Sequence, residues 1–123
     1  MNQVEKNQIL VMPRPLHDLS VEKSSEFISE LSKRLSGRVE AAYVFGSILS
    51  EAFDQQSDLD LILVVRTERP FFKRIHDFFD ITELGIPIDL FIYTPEEFEK
   101  LKEEGLRQDS GFWHSVVNSM KKI

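Results

Sequence analysis

The run Leu59-Asp60-Leu61-Ile62-Leu63-Val64-Val65 constrains the fold of this chain more than any other stretch. It is apolar on both alternating sets of side chains, which describes a strand covered on both faces rather than one lying on a single core. Such a strand needs partners beside it and layers above and below it. The flanking sequence supplies both, so the expected architecture is α/β.

Residues 20–36 place Phe27, Ile28, Leu31 and Leu35 on one helical face, with Lys33 and Arg34 in the last turn and Gly37 as the stop. Val39 to Phe45 reads as a strand, Ala41, Tyr43 and Phe45 on one side and Ala42 and Val44 on the other. Gly46-Ser47 ends it, a short helical turn follows, and Asp54-Gln55-Gln56-Ser57 is a polar loop before the apolar run. Pro70 suits the first position of a helix carrying Phe71, Ile75, Phe78 and Phe79, lasting to Leu84 and closed by Gly85 and Pro87. Ile86 to Tyr93 is a third strand. Thr94-Pro95-Glu96-Glu97 is a capping box with proline at the first helical position, and that helix runs to about Glu104, where Gly105 ends it. A last helix covers Phe112 to Met120. The fold expected is thus a small α/β (α+β) domain, a central mixed sheet flanked by helices. Residues 1–18, with Ile9 to Met12 halted by Pro13 and Pro15, read either as an edge strand or as an arm packing on a partner; residues 19–123 form the domain.

With 123 residues the chain has room for one core. It holds 21 acidic against 15 basic residues, a net charge of −6, which disfavours general nucleic-acid binding because that requires a positive field. A phosphate-bearing small molecule remains compatible if a divalent cation brings positive charge to it. Cysteine is absent, which removes disulfides, thiolate nucleophiles and zinc–thiolate sites, and fits a cytoplasmic setting. No apolar run has membrane-spanning length, and Met1 to Pro13 lacks the pattern of a targeting signal.

Three carboxylates stand where a core strand would not place them without reason. Asp58 and Asp60 are two residues apart at the start of the apolar strand, so both leave one face. Asp89 lies in the third strand between Ile88 and Leu90. Carboxylates in apolar company are neutralised, hydrogen-bonded or metal-bound. If the second and third strands pair, the three converge, and their repulsion calls for a cation. Hard oxygen donors point to Mg2+, or Mn2+, rather than zinc. At the end of the first strand, Gly46 lets backbone approach a ligand, while the Ser47 hydroxyl and the following amides can hold phosphate oxygens.

Gly46-Ser47, ten intervening residues, Asp58-Leu59-Asp60 and a later strand aspartate resemble the DNA polymerase β-like nucleotidyltransferase superfamily. The resemblance extends from about Ser20 to the C-terminus and is nearest to the minimal nucleotidyltransferase branch, which includes MntA-type antitoxins. It implies that Asp58 and Asp60 hold Mg2+ against a nucleoside triphosphate, and that Asp89 completes the metal site and prepares the attacking hydroxyl. It implies transfer of a nucleotidyl group, AMP from ATP first, to a hydroxyl on a HEPN-type toxin partner, with the chain as antitoxin; separately from the resemblance, a homo-oligomer is an open expectation for this chain. Many relatives carry an arginine soon after the Gly-Ser pair; here Ile48-Leu49-Ser50-Glu51 has no base. Arg66, Arg69, Lys73 and Arg74 are candidates by local density, although a solvated charge is the simpler reading of each. That departure motivates a second reading, an inactive domain that neutralises a partner by binding it.

The remaining residues have plainer explanations. His17, His76 and His114 have no partner at ligand-like spacing, so surface or helix-packing roles are expected. Phe71, Phe72, Phe78 and Phe79 are expected mostly in the core. Phe112 is expected to anchor the last helix, and Trp113 either does the same or meets a partner.

Overall fold

The structure is a computed structural model that describes residues 21–46 and 58–123. The N-terminal arm, Ser47, the short turn after it and the loop before Asp58 lie outside the described residues. The described elements are helix α1 (Val21–Leu35), strand β1 (Ala41–Phe45), strand β2 (Leu59–Val64), a 3₁₀ helix (Phe71–Phe78), helix α2 (Phe79–Thr82), strand β3 (Ile88–Tyr93), helix α3 (Pro95–Arg107), helix α4 (Phe112–Ser119) and strand β4 (Lys121–Lys122).

The sheet is mixed, in the order β3-β2-β1-β4, with β2 and β3 parallel and β1 antiparallel to both β2 and β4. Strand β2 is internal and buried on both faces, as its composition requires: Leu59, Leu61, Ile62 and Leu63 expose nothing. One face of the sheet, with Ala42, Val44, Leu61 and Leu63, packs on Leu31 and Leu35 of α1 and on Phe78 and Ile81 of the β2–β3 crossover. The other, with Phe45, Ile62 and Val64, packs on Phe98 of α3 and Val116 of α4. Two apolar layers therefore sandwich one sheet, which is why β2 lacks polar alternation.

Several boundaries differ from the sequence reading. Strand β1 starts at Ala41, although Glu40 N still donates to Val64 O at 2.7 Å, so the ladder begins before the strand does. Strand β3 starts at Ile88, and Ile86 is a buried core residue ahead of it. The expected helix from Pro70 to Leu84 is mostly 3₁₀. Ile75, Phe78 and Ile81 recur every three residues, the 3₁₀ period, and it is they that reach the core. Phe71, Phe72 and Phe79 do not; each is at least half exposed.

Gly105 does not stop α3, which continues to Arg107. It is a buried contact point instead: a Cβ there would stand 2.7 Å from the Trp113 carbonyl oxygen and 2.7 Å from Val117 Cγ2. The glycine lets α3 and α4 approach at backbone distance. The capping box at the other end of α3 is present, with Glu97 N donating to Thr94 Oγ1 and Thr94 N donating to a Glu97 carboxylate oxygen. Strand β4 was not foreseen; Ile123 N donates to Ala42 O and fastens the chain end to β1.

Candidate active site

The strand register puts Phe45, Asp60 and Asp89 in one row. Phe45 is the ladder partner of Asp60 across the antiparallel β1–β2 pair, and Asp60 is the partner of Asp89 across the parallel β2–β3 pair. Ladder partners share a face, so the two carboxylates leave the sheet side by side, from strands about 4.8 Å apart. They leave on the face of α3 and α4, one row beyond the apolar contacts of Tyr43, Ile62 and Phe91. Asp58 precedes β2, and Leu59 N donates to Pro87 O at 2.9 Å, so the backbone ladder already runs at that level. Asp58 and Asp60 are half-buried and Asp89 is exposed.

Gly46 follows Phe45 directly and has φ of +84°, in the left-handed region. A Cβ built there would lie inside contact distance of Asp60 Oδ2. The backbone at Gly46 thus rests against the Asp60 carboxylate, an approach closed to any other residue. Ser47 falls outside the described residues.

Among the described residues, no group of three or more His, Cys, Asp and Glu side chains is gathered closely enough to hold a metal ion by itself. Mg2+, however, is commonly held by one or two carboxylates with water and substrate phosphates completing the shell. The hard oxygens of Asp60 and Asp89, adjacent on one face, fit that chemistry.

The four cations named from sequence density lie elsewhere. Arg66 follows the far end of β2, roughly 20 Å along the strand from Asp60, and pairs with Glu40 at 2.5 Å. Arg69 pairs with Asp77 at 2.9 Å, and Lys73 Nζ lies 5.9 Å from the Phe72 ring centroid. Arg74 is the clear departure from a solvated charge, for its side chain is buried. It donates to Arg69 O, to Ile92 O at 3.0 Å and through two nitrogens to the Glu97 carboxylate at 2.6 and 3.2 Å. That bond holds the Glu97 carboxyl below the ordinary glutamate range against the opposing effect of desolvation. Arg74 therefore ties the 3₁₀ helix to β3 and α3, a role set by its burial between them. A cleft of about 350 Å³ at this same far end is lined by Arg66, Thr67, Glu68, Thr94, Pro95 and Glu96, away from the aspartate row.

Sequence reasoning missed two features near the row. Lys121 and Lys122 enter the sheet beside Val44 and Tyr43, on the edge of β1 opposite β2. Phe112, expected inside, is 58% exposed, with its ring centroid 6.1 Å from that of Phe45. The alternation in Ala41 to Phe45 already assigned Phe45 its face; only the pairing register reveals that Asp60 is its neighbour. Trp113 packs with the apolar layer, 6.0 Å from Tyr93. His114 Nδ1 lies 3.1 Å from Gly105 O and His76 meets Phe79 at the surface, packing roles in both cases. His17 lies outside the described residues.

A crystal structure of a candidate nucleotidyltransferase from Sulfolobus solfataricus is similar at 20% identity and a TM-score of 0.45, covering 65% of this chain and 71% of that one. Comparison with curated proteins gives no significant match. The family described as Polymerase beta, Nucleotidyltransferase matches residues 25–110, which include β1, β2, β3 and the aspartate row. The chain belongs to the polymerase β nucleotidyltransferase family.

Proposed function

We propose that residues 19–123 transfer a nucleotidyl group, AMP from ATP in the first instance, to a hydroxyl acceptor. The observation that carries this reading is the pairing of Asp60 with Asp89 on one sheet face, with the Gly46 backbone against the Asp60 carboxylate. Asp60 and Asp89 hold Mg2+, or Mn2+, with Asp58 as a further oxygen donor at the rim. The bound ion supplies charge neutralisation for the triphosphate and for the oxygens of an in-line displacement. Gly46 and Ser47 hold phosphate oxygens, the glycine by clearing space and the serine by its hydroxyl. Asp89, the most exposed of the three, takes the proton of the attacking hydroxyl. The new bond joins that oxygen to the α-phosphorus, the bond to the β-phosphate bridging oxygen breaks, and pyrophosphate leaves.

The acceptor is a tyrosine hydroxyl of a HEPN-type toxin partner, which makes the chain the antitoxin of a cytoplasmic pair. The minimal nucleotidyltransferase pattern of Gly46-Ser47 and Asp58-Leu59-Asp60 supports this branch. Among the described residues, no helix is long and apolar enough to cross a membrane. Incubation with Mg2+, a HEPN-type protein and ATP labelled in its α-phosphate should label that protein. The double substitution Asp60→Asn, Asp89→Asn should lower labelling by at least about 100-fold with the fold retained. Labelling that survives the double substitution rules the mechanism out.

A second reading has its own support. Arg66, Arg69 and Arg74 are committed to ion pairs at the far end of the sheet, and residues 48–51 contain no base. A domain short of triphosphate countercharge can neutralise a partner by binding alone. Calorimetry with Mg·ATP separates the two: millimolar nucleotide without heat, with the partner complex intact, favours binding over transfer.

A further inference from the structure

Five large apolar side chains are exposed among the described residues: Phe71, Phe72, Phe79, Leu106 and Phe112. The first three rings already have polar company. Arg74 lies over Phe71, Lys73 over Phe72, and His76 meets Phe79. Phe112 differs in position and in contacts. It opens α4, is 58% exposed, and meets Phe45 at an interplanar angle of 79° and Trp113 at 81°. Both contacts are edge-on, so neither ring lies flat against it. Its neighbour Phe45 is the ladder partner of Asp60.

We propose that Phe112 is the stacking platform for the base of the nucleoside triphosphate, an assignment that rests on the nucleotidyltransferase reading of the aspartate row. Phe112 is thus one ring contact, 6.1 Å between centroids, from the residue that stands beside Asp60 in the ladder, which puts its ring on the side of the site where a ribose and base can extend from an α-phosphate held at the carboxylates. Tertiary packing also explains the exposure, because α4 is anchored through Val116 and Trp113, leaving its first residue outside the apolar layer and beside Phe45. A phenyl face has no hydrogen-bond code, so it accepts any base and favours the larger purines.

Calorimetry with Mg·ATP and with Mg·tripolyphosphate, which lacks sugar and base, tests the assignment. The wild-type chain should bind ATP about ten-fold more tightly than tripolyphosphate, the gain expected of a single base–aromatic stack. Phe112→Leu keeps an apolar contact for Phe45 but no π face, and should remove that gain while leaving tripolyphosphate affinity unchanged; Phe112→Tyr should retain it. Emission from Trp113, the single tryptophan, reports in parallel: ATP should perturb it in the wild type and in Phe112→Tyr, and tripolyphosphate should not. Unchanged ATP preference in Phe112→Leu overturns the stacking role and leaves the transferase reading standing. Equal loss for both ligands also overturns it, assigning Phe112 to structure. If the wild type binds neither ligand, both readings fall.

Discussion

Gly46 and Asp60 are in backbone-to-carboxylate contact: the glycine that follows β1 directly rests against the side chain of the second residue of β2. Two separate restrictions meet at Gly46, a positive φ and the lack of room for a Cβ. Gly46 and the acid are thus one unit, set by the antiparallel register of Phe45 with Asp60.

Gly46→Ala should lower the unfolding free energy by at least about 1 kcal/mol, from the left-handed backbone alone. It should also weaken Mg·ATP binding by displacing the carboxylate. Asp60→Ala in the same chain removes the collision partner, so urea unfolding of the two single variants and the double should be non-additive, with the double less destabilised than their sum. Strict additivity would refute the contact.

Gly105→Ala pits two effects against each other. Alanine gains about 1 kcal/mol of helix propensity, but its methyl would meet the Trp113 carbonyl and Val117 at 2.7 Å. Backbone of a packed helix yields little, and overpacking costs about 1–3 kcal/mol. The net outcome should be a lower Tm, accompanied by a shift in Trp113 emission. A raised Tm would show that α3 and α4 separate freely.

Arg74→Met should destabilise the fold by about 3 kcal/mol, since it leaves the Arg69 and Ile92 carbonyls without their donor and Glu97 without its partner. The pH response should change with it. In the wild type the Glu97 carboxyl is held low by Arg74, so the stability it contributes is present above the ordinary glutamate pKa and is lost as pH falls through the lower folded value. Because the Glu97 side chain is 44% exposed, solvent screens part of this contribution. Urea midpoints measured from pH 6 downward should fall less steeply in Arg74→Met than in the wild type.

Arg66→Gln and Arg69→Gln should leave Mg·ATP affinity within about twofold, because both arginines stand past the far end of β2, beyond useful Coulomb range in screened solvent. Calorimetry under the conditions used for Phe112 checks this. A loss of about ten-fold in either variant would return the phosphate cation to that end of the sheet.

The sequence determined the order of the main helices and of the three central strands, and the faces of β1 and β2. The apolar run Leu61 to Val64 of β2 required cover on both sides, Thr94 to Glu97 specified a helix start, and the period of two in Ala41 to Phe45 assigned each side chain to a layer. It also placed Asp60 and Asp89 on strands, since carboxylates amid apolar residues mark themselves. What it could not supply was register, which depends on how strands distant in the chain align. Only tertiary structure decided that Asp60 stands between Phe45 and Asp89, and that the basic cluster after β2 lies at the opposite end of the sheet. The same holds for Gly105 and Phe112. A glycine reads as a helix stop and a phenylalanine as core until a neighbouring helix is in place. Packing against α4 turned the one into a close contact and left the other exposed.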